Sequence, residues 1–247
     1  MRIARMIWLL LSLALLLGMP ARAASQTKTQ ADPSSNDTML AAGFLDGHPD
    51  LLFRSQGLDA YREGEYPKAI ERFRKAAEYG DKASQAIVGE MLWSGRGVER
   101  DQVMALVWMD VAAERGYPRF VNTRNRYWNA LSQGERQRAR DLADNLYAKY
   151  GDAATEPRIA KALRRGRSKM TGSRVGSLAT HVQIVIPGHG SIDGSSFYDP
   201  KYWDAAQYRA WHDNFWKTAP DGTVVVGKPE KLDRGTSSPP QPPVKPG

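Results

Sequence analysis

Apolar and small residues fall at helical spacing along much of the chain, and in one stretch the same pattern is written twice. Ala69, Phe73 and Ala76-Ala77-Glu78-Tyr79-Gly80 return 36 positions later as Ala105, Met109 and Ala112-Ala113-Glu114-Arg115-Gly116. The preceding segments, matched Gly57 to Gly89, are only 32 apart, so four residues (36 − 32) must enter between the helices. They do: Gly64-Glu65 becomes Gly95-Arg96-Gly97-Val98-Glu99-Arg100. A period of this size predicts stacked helix pairs, each covering its apolar stripe only when a neighbour packs on it. Small residues at Gly57, Ala69, Ala76, Gly89, Ala105 and Ala112 mark the close crossings, and Phe73 and Met109 fill the space between them.

Start and stop signals bound the helices. Pro49 and Pro67 open two of them, spanning roughly Pro49 to Glu63 and Pro67 to Tyr79, because proline in a first turn gives up no hydrogen bond. Two more run from about Lys82 to Ser94 and Asp101 to Arg115. A third pair follows, Pro118 to Leu131 and Gln133 to Tyr150, the latter opened by a capping box at Ser132-Gln133-Gly134-Glu135. Its apolar stripe is Ala139, Leu142, Ala143, Leu146, Tyr147 and Tyr150. Arg124 and Asn125 break the repeat pattern here, so this pair is read as the cap of the array.

The run Gly57, Gly64, Tyr66, Ala69, Phe73, Ala76 resembles a tetratricopeptide motif. The next unit, Asp81, Gln85, Gly89, Gly95-Arg96-Gly97-Val98, Asp101, Ala105, Trp108 and Ala112-Ala113-Glu114-Arg115-Gly116, resembles a Sel1-like repeat. The two units cover about a quarter of the chain. The resemblance implies an α/α superhelix that binds other proteins and has no catalytic residues or cofactor of its own. The expected fold class is therefore mainly α: a superhelical solenoid of helix pairs over 49–170, followed by a small α+β tail unit over 171–234.

The ends add an address. Arg2 and Arg5 precede an apolar run from Met6 to Met19, and Ala21-Arg22-Ala23 offers a small-residue processing site, so a secretory signal peptide over 1–23 with cleavage after Ala23 is expected. The run is shorter than the ~20 residues of a spanning helix. A periplasmic or secreted protein follows. The polar stretch after it, 24–48, reads as a flexible linker. The chain has no cysteine, which removes disulfides and thiolate metal sites. Its formal charge of +8 falls to +5 (8 − 3) once Arg2, Arg5 and Arg22 are gone, a modest bias toward anionic partners. Nucleic acid is not expected after export.

Beyond Tyr150 the pattern changes. A helix from about Glu156 to Ser168 carries Arg158, Lys161, Arg164, Arg165 and Arg167, with Lys169 and Arg174 after it, and a thin apolar side at Ile159 and Leu163. Its charges either pair with acids elsewhere or offer a surface for an anionic lipid or glycan. Val182, Ile184 and Ile186 alternate as a strand, and Thr223 to Val226 reads as its partner. Between them, a helix starting at Asp199-Pro200 carries Tyr208, Trp211 and Phe215. Aromatics at helical spacing read first as core, but Tyr202 and Trp203 sit on a different side from Trp211 and Phe215, so part of the set is a candidate for exposure, suited to a glycan or a peptide. The proline-rich end, 235–247, reads as an extended tail.

Two decoys were weighed. Pro187-Gly188-His189-Gly190 resembles the histidine-bearing turn of metallo-β-lactamases but lacks the histidine cluster that fold needs, so a glycine-rich turn is expected. Ser173 and Ser191 lack the strand-turn-helix setting of a nucleophile.

No acid, base or metal constellation emerges, and the resemblance to Sel1-like repeats implies a non-enzymatic adaptor of the cell envelope that binds a protein or peptide. In tetratricopeptide-like units the first helix of each pair lines the concave face. Carrying the register forward puts Tyr61 and Trp93 at matching places, with Asn122, Arg126 and Asn129 continuing the line in the third pair. These are the expected partner-binding residues: aromatic anchors, then donors for a peptide backbone or carboxylate. The alternative is that Tyr61 and Trp93 are packed between neighbouring helices.

Overall fold

The computed structural model describes residues 37–171, 183–186, 188 and 190–218. The expected signal segment, the Thr223 to Val226 strand and the proline-rich end lie outside them. A short helix, α1 (Asp37–Ala41), and a 3-10 turn (Phe44–Gly47) lead into α2 (Pro49–Arg62). Two helix pairs follow in order, α2 with α3 (Tyr66–Ala77) and α4 (Lys82–Ser94) with α5 (Gln102–Ala112), after which α6 (Pro118–Ala130) and α7 (Gln133–Tyr150) each pack mainly on α5 instead of forming the expected third pair. The fold is a mainly α helical solenoid with a small α+β tail.

The repeat register holds at the atomic level. Ala69, Phe73, Ala76, Ala105, Met109 and Ala112 all have no exposed surface. A Cβ on Gly57 would lie 2.6 Å from the Phe73 ring, and one on Gly89 would lie 3.1 Å from the Ala105 carbonyl oxygen, so each glycine lets the second helix of its own pair approach. The long turn of the second unit has its own constraint. Gly97 has φ +75°, and a Cβ there would fall 2.1 Å from Tyr66 Cβ, so the extra residues pack down on the start of α3.

Helix starts follow local chemistry. Asp81 and Asp101 cap α4 and α5 by accepting from the backbone N–H of Ser84 and Met104, and Ser132 and Glu135 form the full capping box of α7. Helix α8 (Asp152–Thr171) begins a turn before the expected Glu156. The reason is tertiary: the Asp152 N–H donates to Glu114 at 2.9 Å, and the Asp152 carboxylate takes a two-pronged grip from Arg115.

The tail differs from expectation in three places. The strand β1 (Gln183–Ile186) pairs with β2 (Gly190–Asp193) as a tight antiparallel hairpin, Ile186 opposite Gly190. Gly188, at φ +80°, lies in the turn of that hairpin, and His189 lies outside the described residues. The single aromatic helix is instead α9 (Gly194–Phe197), α10 (Pro200–Trp203) and α11 (Ala205–Thr218), broken where Asp204 takes an extended backbone.

Tyr202 and Trp203, candidates for exposure, are 6% and 2% exposed, whereas Phe215 is 38% exposed. They are covered by residues from the end of the expected linker. Phe44 is fully buried with its ring edge-on to Phe197, Tyr202 and Trp203. His48 stacks on Phe44, its two ring nitrogens 2.7 and 2.8 Å from the carbonyl oxygens of Phe44 and Tyr202. Residues 37–48 are thus part of a second apolar cluster with Met39, Leu51 and Phe197, because those side chains find cover only in the tail. Helix α8 crosses this cluster at a bare contact: a Cβ on Gly166 would lie 2.4 Å from Gly47 Cα.

Candidate functional site

The first helices α2, α4 and α6 present one face whose residues are partly exposed. Tyr61 near the end of α2 lies edge-on to Tyr66, and its hydroxyl accepts a bond from Arg96 in the turn after α4. The Arg96 guanidinium lies over both rings. Trp93 on α4 stacks face to face with Tyr127 on α6, centroids 3.9 Å apart and planes 5° from parallel. Tyr61 and Trp93 are half-buried and pack against the core, joining neighbouring units.

Asn122, Arg126 and Asn129 are all exposed on α6. Arg126 donates to Thr123 Oγ1 at 3.0 Å, and among the described residues no carboxylate closes an ion pair with it. The sequence line is therefore divided in the structure: two aromatics that stitch the units together, and three polar side chains that stand in solvent.

Three further residues complete this face, and spacing alone did not single them out. Glu90, on α4 one turn before Trp93, is solvent-exposed. Its carboxyl is nonetheless raised above the ordinary range by the low-dielectric walls around it, with Arg119 and Arg126 pulling the other way. Arg119 begins α6, one turn before Asn122 and Thr123. Tyr127 has its hydroxyl pushed up by burial, with Glu90 adding to the shift and Arg126 opposing it. Glu90 thus lies within electrostatic reach of two guanidiniums, Arg119 and Arg126, near the Trp93–Tyr127 stack. Glu90 and Tyr127 lie next to residues in the predicted line, so a helical-wheel projection of α4 and α6 could have found them.

A second polar concentration lies along the edge of the solenoid where α8 and α11 cover the starts of α2, α4 and α6. Lys82 is buried and bonded to Glu114 at 2.7 Å, Asp152 at 3.0 Å and the Val111 carbonyl at 3.0 Å. Burial alone would raise the Asp152 carboxyl, but Arg115 and Lys82 hold it below the ordinary range. Tyr117 donates to Asp213 on α11 at 2.5 Å, and Tyr208 donates to Asp50 at 2.7 Å. Arg209 on α11 pairs with Glu156 and Asp152 on α8. These links bind the tail to the repeats. They join residues far apart in the chain, which no motif spacing reports.

Among the described residues no three His, Asp or Glu side chains converge as a metal site, and no helix is long and apolar enough to cross a membrane.

Comparison with known proteins adds one likeness. The chain is similar to the solved structure of c5321, a protective antigen present in uropathogenic Escherichia coli strains displaying an SLR fold, at 31% identity and a TM-score of 0.39. The match covers 45% of this chain and 25% of that one, so it takes in about a quarter of that protein's length. No protein-family model and no curated protein matches the chain.

Proposed function

We propose that the protein is a non-catalytic adaptor of the bacterial cell envelope, built on Sel1-like repeats, that holds a protein or peptide segment against the face of α2, α4 and α6. The observation that carries this reading is the exposed set Asn122, Arg126 and Asn129, with the half-buried Arg119, beside Glu90. These donors carry no ion pair among the described residues and stand over a rigid aromatic floor. Such a surface suits an extended segment: the asparagines bond its backbone, and the guanidiniums take an acidic side chain or terminal carboxylate. Rigidity matters because side chains already held in place lose little entropy on binding. The export signal expected over 1–23 supports placing the protein outside the cytoplasm.

A peptide library selected on the purified protein tests this. Enriched peptides should be acidic or end in a free carboxylate, and Arg126→Ala should weaken them by ~10-fold or more, the loss expected for one charge-assisted bond. Selection of no such peptide, or full binding by Arg126→Ala, would sink it.

A second reading rests on α8. Lys161, Arg164 and Arg165 are exposed at helical spacing and have no ion-pair partner among the described residues, whereas Arg158 is spent on the carbonyls of Glu78 and Lys149. This stripe suits an anionic lipid or glycan. Salt-sensitive capture by anionic vesicles, lost in a Lys161, Arg164, Arg165 triple alanine variant, would favour it over the groove.

A further inference from the structure

The edge where α8 and α11 cover the repeats encloses a cavity of about 480 Å³, inside the size range of small-molecule sites. Asp50, in the first turn of α2, and His212, on α11, both line it. Asp50 is 3% exposed and accepts from the Tyr208 hydroxyl on Oδ2, while its Oδ1 has no hydrogen-bond partner. His212 Nε2 is also covered and unpartnered, on a side chain that is 12% exposed. It stands 4.0 Å from Asp50 Oδ2, too far for a direct bond. Leaving a buried polar atom unpaired is costly, and two of them beside one cavity specify what would fill it.

The surrounding charges narrow the chemistry. Every cation near this floor is already engaged by another carboxylate: Arg54 by Asp81, Lys82 by Glu114 and Asp152, Arg115 by Asp152, and Arg209 by Asp152 and Glu156. Asp50 is the carboxyl left facing the cavity with a free oxygen. Burial raises it to about 7, Asp81 adds to the rise, and Tyr208 and Arg54 oppose it. Burial also pushes His212 well down, helped by Arg54, Arg115 and His48, so its ring is neutral and a nitrogen can accept.

With the neutral His212 ring carrying its hydrogen on Nδ1, Nε2 and Asp50 Oδ1 are two acceptors on one cavity, which a group with two or more hydrogens to donate satisfies. A hydroxyl has one, and a carboxylate or phosphate brings more acceptors to a floor whose donors are spent. A primary ammonium has three and supplies the missing charge. The walls beside it, Pro157, Ile159, Ala160, Ala205 and Trp216, are apolar.

We propose that this cavity binds a small primary amine, its ammonium donating to Asp50 Oδ1 and His212 Nε2 and its short apolar body lying between α8 and α11. Because α11 supplies His212 and Trp216, the bound amine also clamps the tail helix onto the repeats. The site is separate from the groove, so its failure would leave the adaptor reading untouched.

Isothermal titration of the full-length protein at pH 8 with n-butylamine, n-butanol and butyrate tests the proposal. Saturable one-to-one binding of the amine, at least ~10-fold tighter than the alcohol and with no binding of butyrate, is expected from one charge-assisted bond. Asp50→Asn keeps the shape and an acceptor for Tyr208 and should weaken the amine by ~10-fold or more. If that variant does not fold by circular dichroism, Ala206→Phe, placed at the exposed rim of the cavity, serves instead and should block uptake. Equal binding of amine and alcohol, no saturable binding of the amine, or full binding by whichever variant folds would each overturn the proposal.

Discussion

Replacing Gly89 by leucine probes the repeat register directly. Gly89 is buried on α4 with its Cα facing α5. An alanine Cβ would meet the Ala105 carbonyl oxygen at 3.1 Å and Met109 N and Cε at 3.4 Å. The oxygen is backbone and can retreat only if α5 moves. Alanine would therefore strain the contact slightly while recovering ~1 kcal/mol of helix propensity, and the two effects nearly cancel. Leucine adds three further carbons to an interface in which Ala105 and Met109 have no exposed surface, so no side chain can swing out to make room.

Overpacking of this kind costs ~1–3 kcal/mol, and a contact with backbone belongs at the upper end. With the propensity gain subtracted, a net loss of about 2 kcal/mol is expected. For a chain of this size that is a fall of ~4–8 °C in melting temperature. Thermal melts followed by circular dichroism at 222 nm measure it. Gly134→Ala is the control, since a Cβ there meets nothing within 4 Å and should shift the melt little. If Gly89→Leu melts with the wild type while retaining its helicity, α4 and α5 do not cross at Gly89 and the repeat alignment is wrong.

Gly166→Ala should destabilise in spite of better helix propensity, by ~1–3 kcal/mol, because its Cβ would fall 2.4 Å from Gly47 Cα; chemical denaturation that shows a gain would contradict the α8 crossing. Asp50 is raised to about 7 in the folded chain, above its unfolded value near 4, so folding takes up a proton and the resulting penalty grows as pH rises from about 4 to 7. Asp50→Asn should therefore raise the melting temperature at pH 8 and give little gain at pH 4, and a gain that is independent of pH would refute the assignment. Trp93→Ala should lower stability as well as binding, since it removes the stack on Tyr127, and an unchanged melt would show that the stack carries no packing energy. Intact-mass analysis of the exported form should find Ala24 at the N-terminus; a mass that retains 1–23 would remove the export signal.

The helices of the repeats were legible before any coordinates because their signals are local. Proline at 49 and 118, the capping box at 132–135 and the returning pattern from Ala69 to Ala105 each act within a few turns of chain, where spacing translates into direction. Gly57 and Gly89 could be assigned to crossings for the same reason: a repeat that recurs shows which positions must stay small.

The positions of the side chains on α2, α4 and α6 were legible only in part. The first-helix rule brought out Tyr61, Trp93 and Arg126, but not that Trp93 would lie flat on Tyr127 or that Glu90 would stand between Arg119 and Arg126, because these depend on how far one unit rotates against the next. Phe44 sits in a short apolar run from Met39 to Leu45 next to a polar stretch, and only the arrival of Phe197, Tyr202 and Trp203 made it core. Asp50 and Tyr208 are 158 positions apart and Arg115 and Asp152 are 37 apart. No periodicity encodes such pairs: the sequence by itself determined the helices and their stacking order, whereas the tertiary structure decided which edge the tail would cover, since that is settled by which buried charges and aromatic faces can satisfy one another.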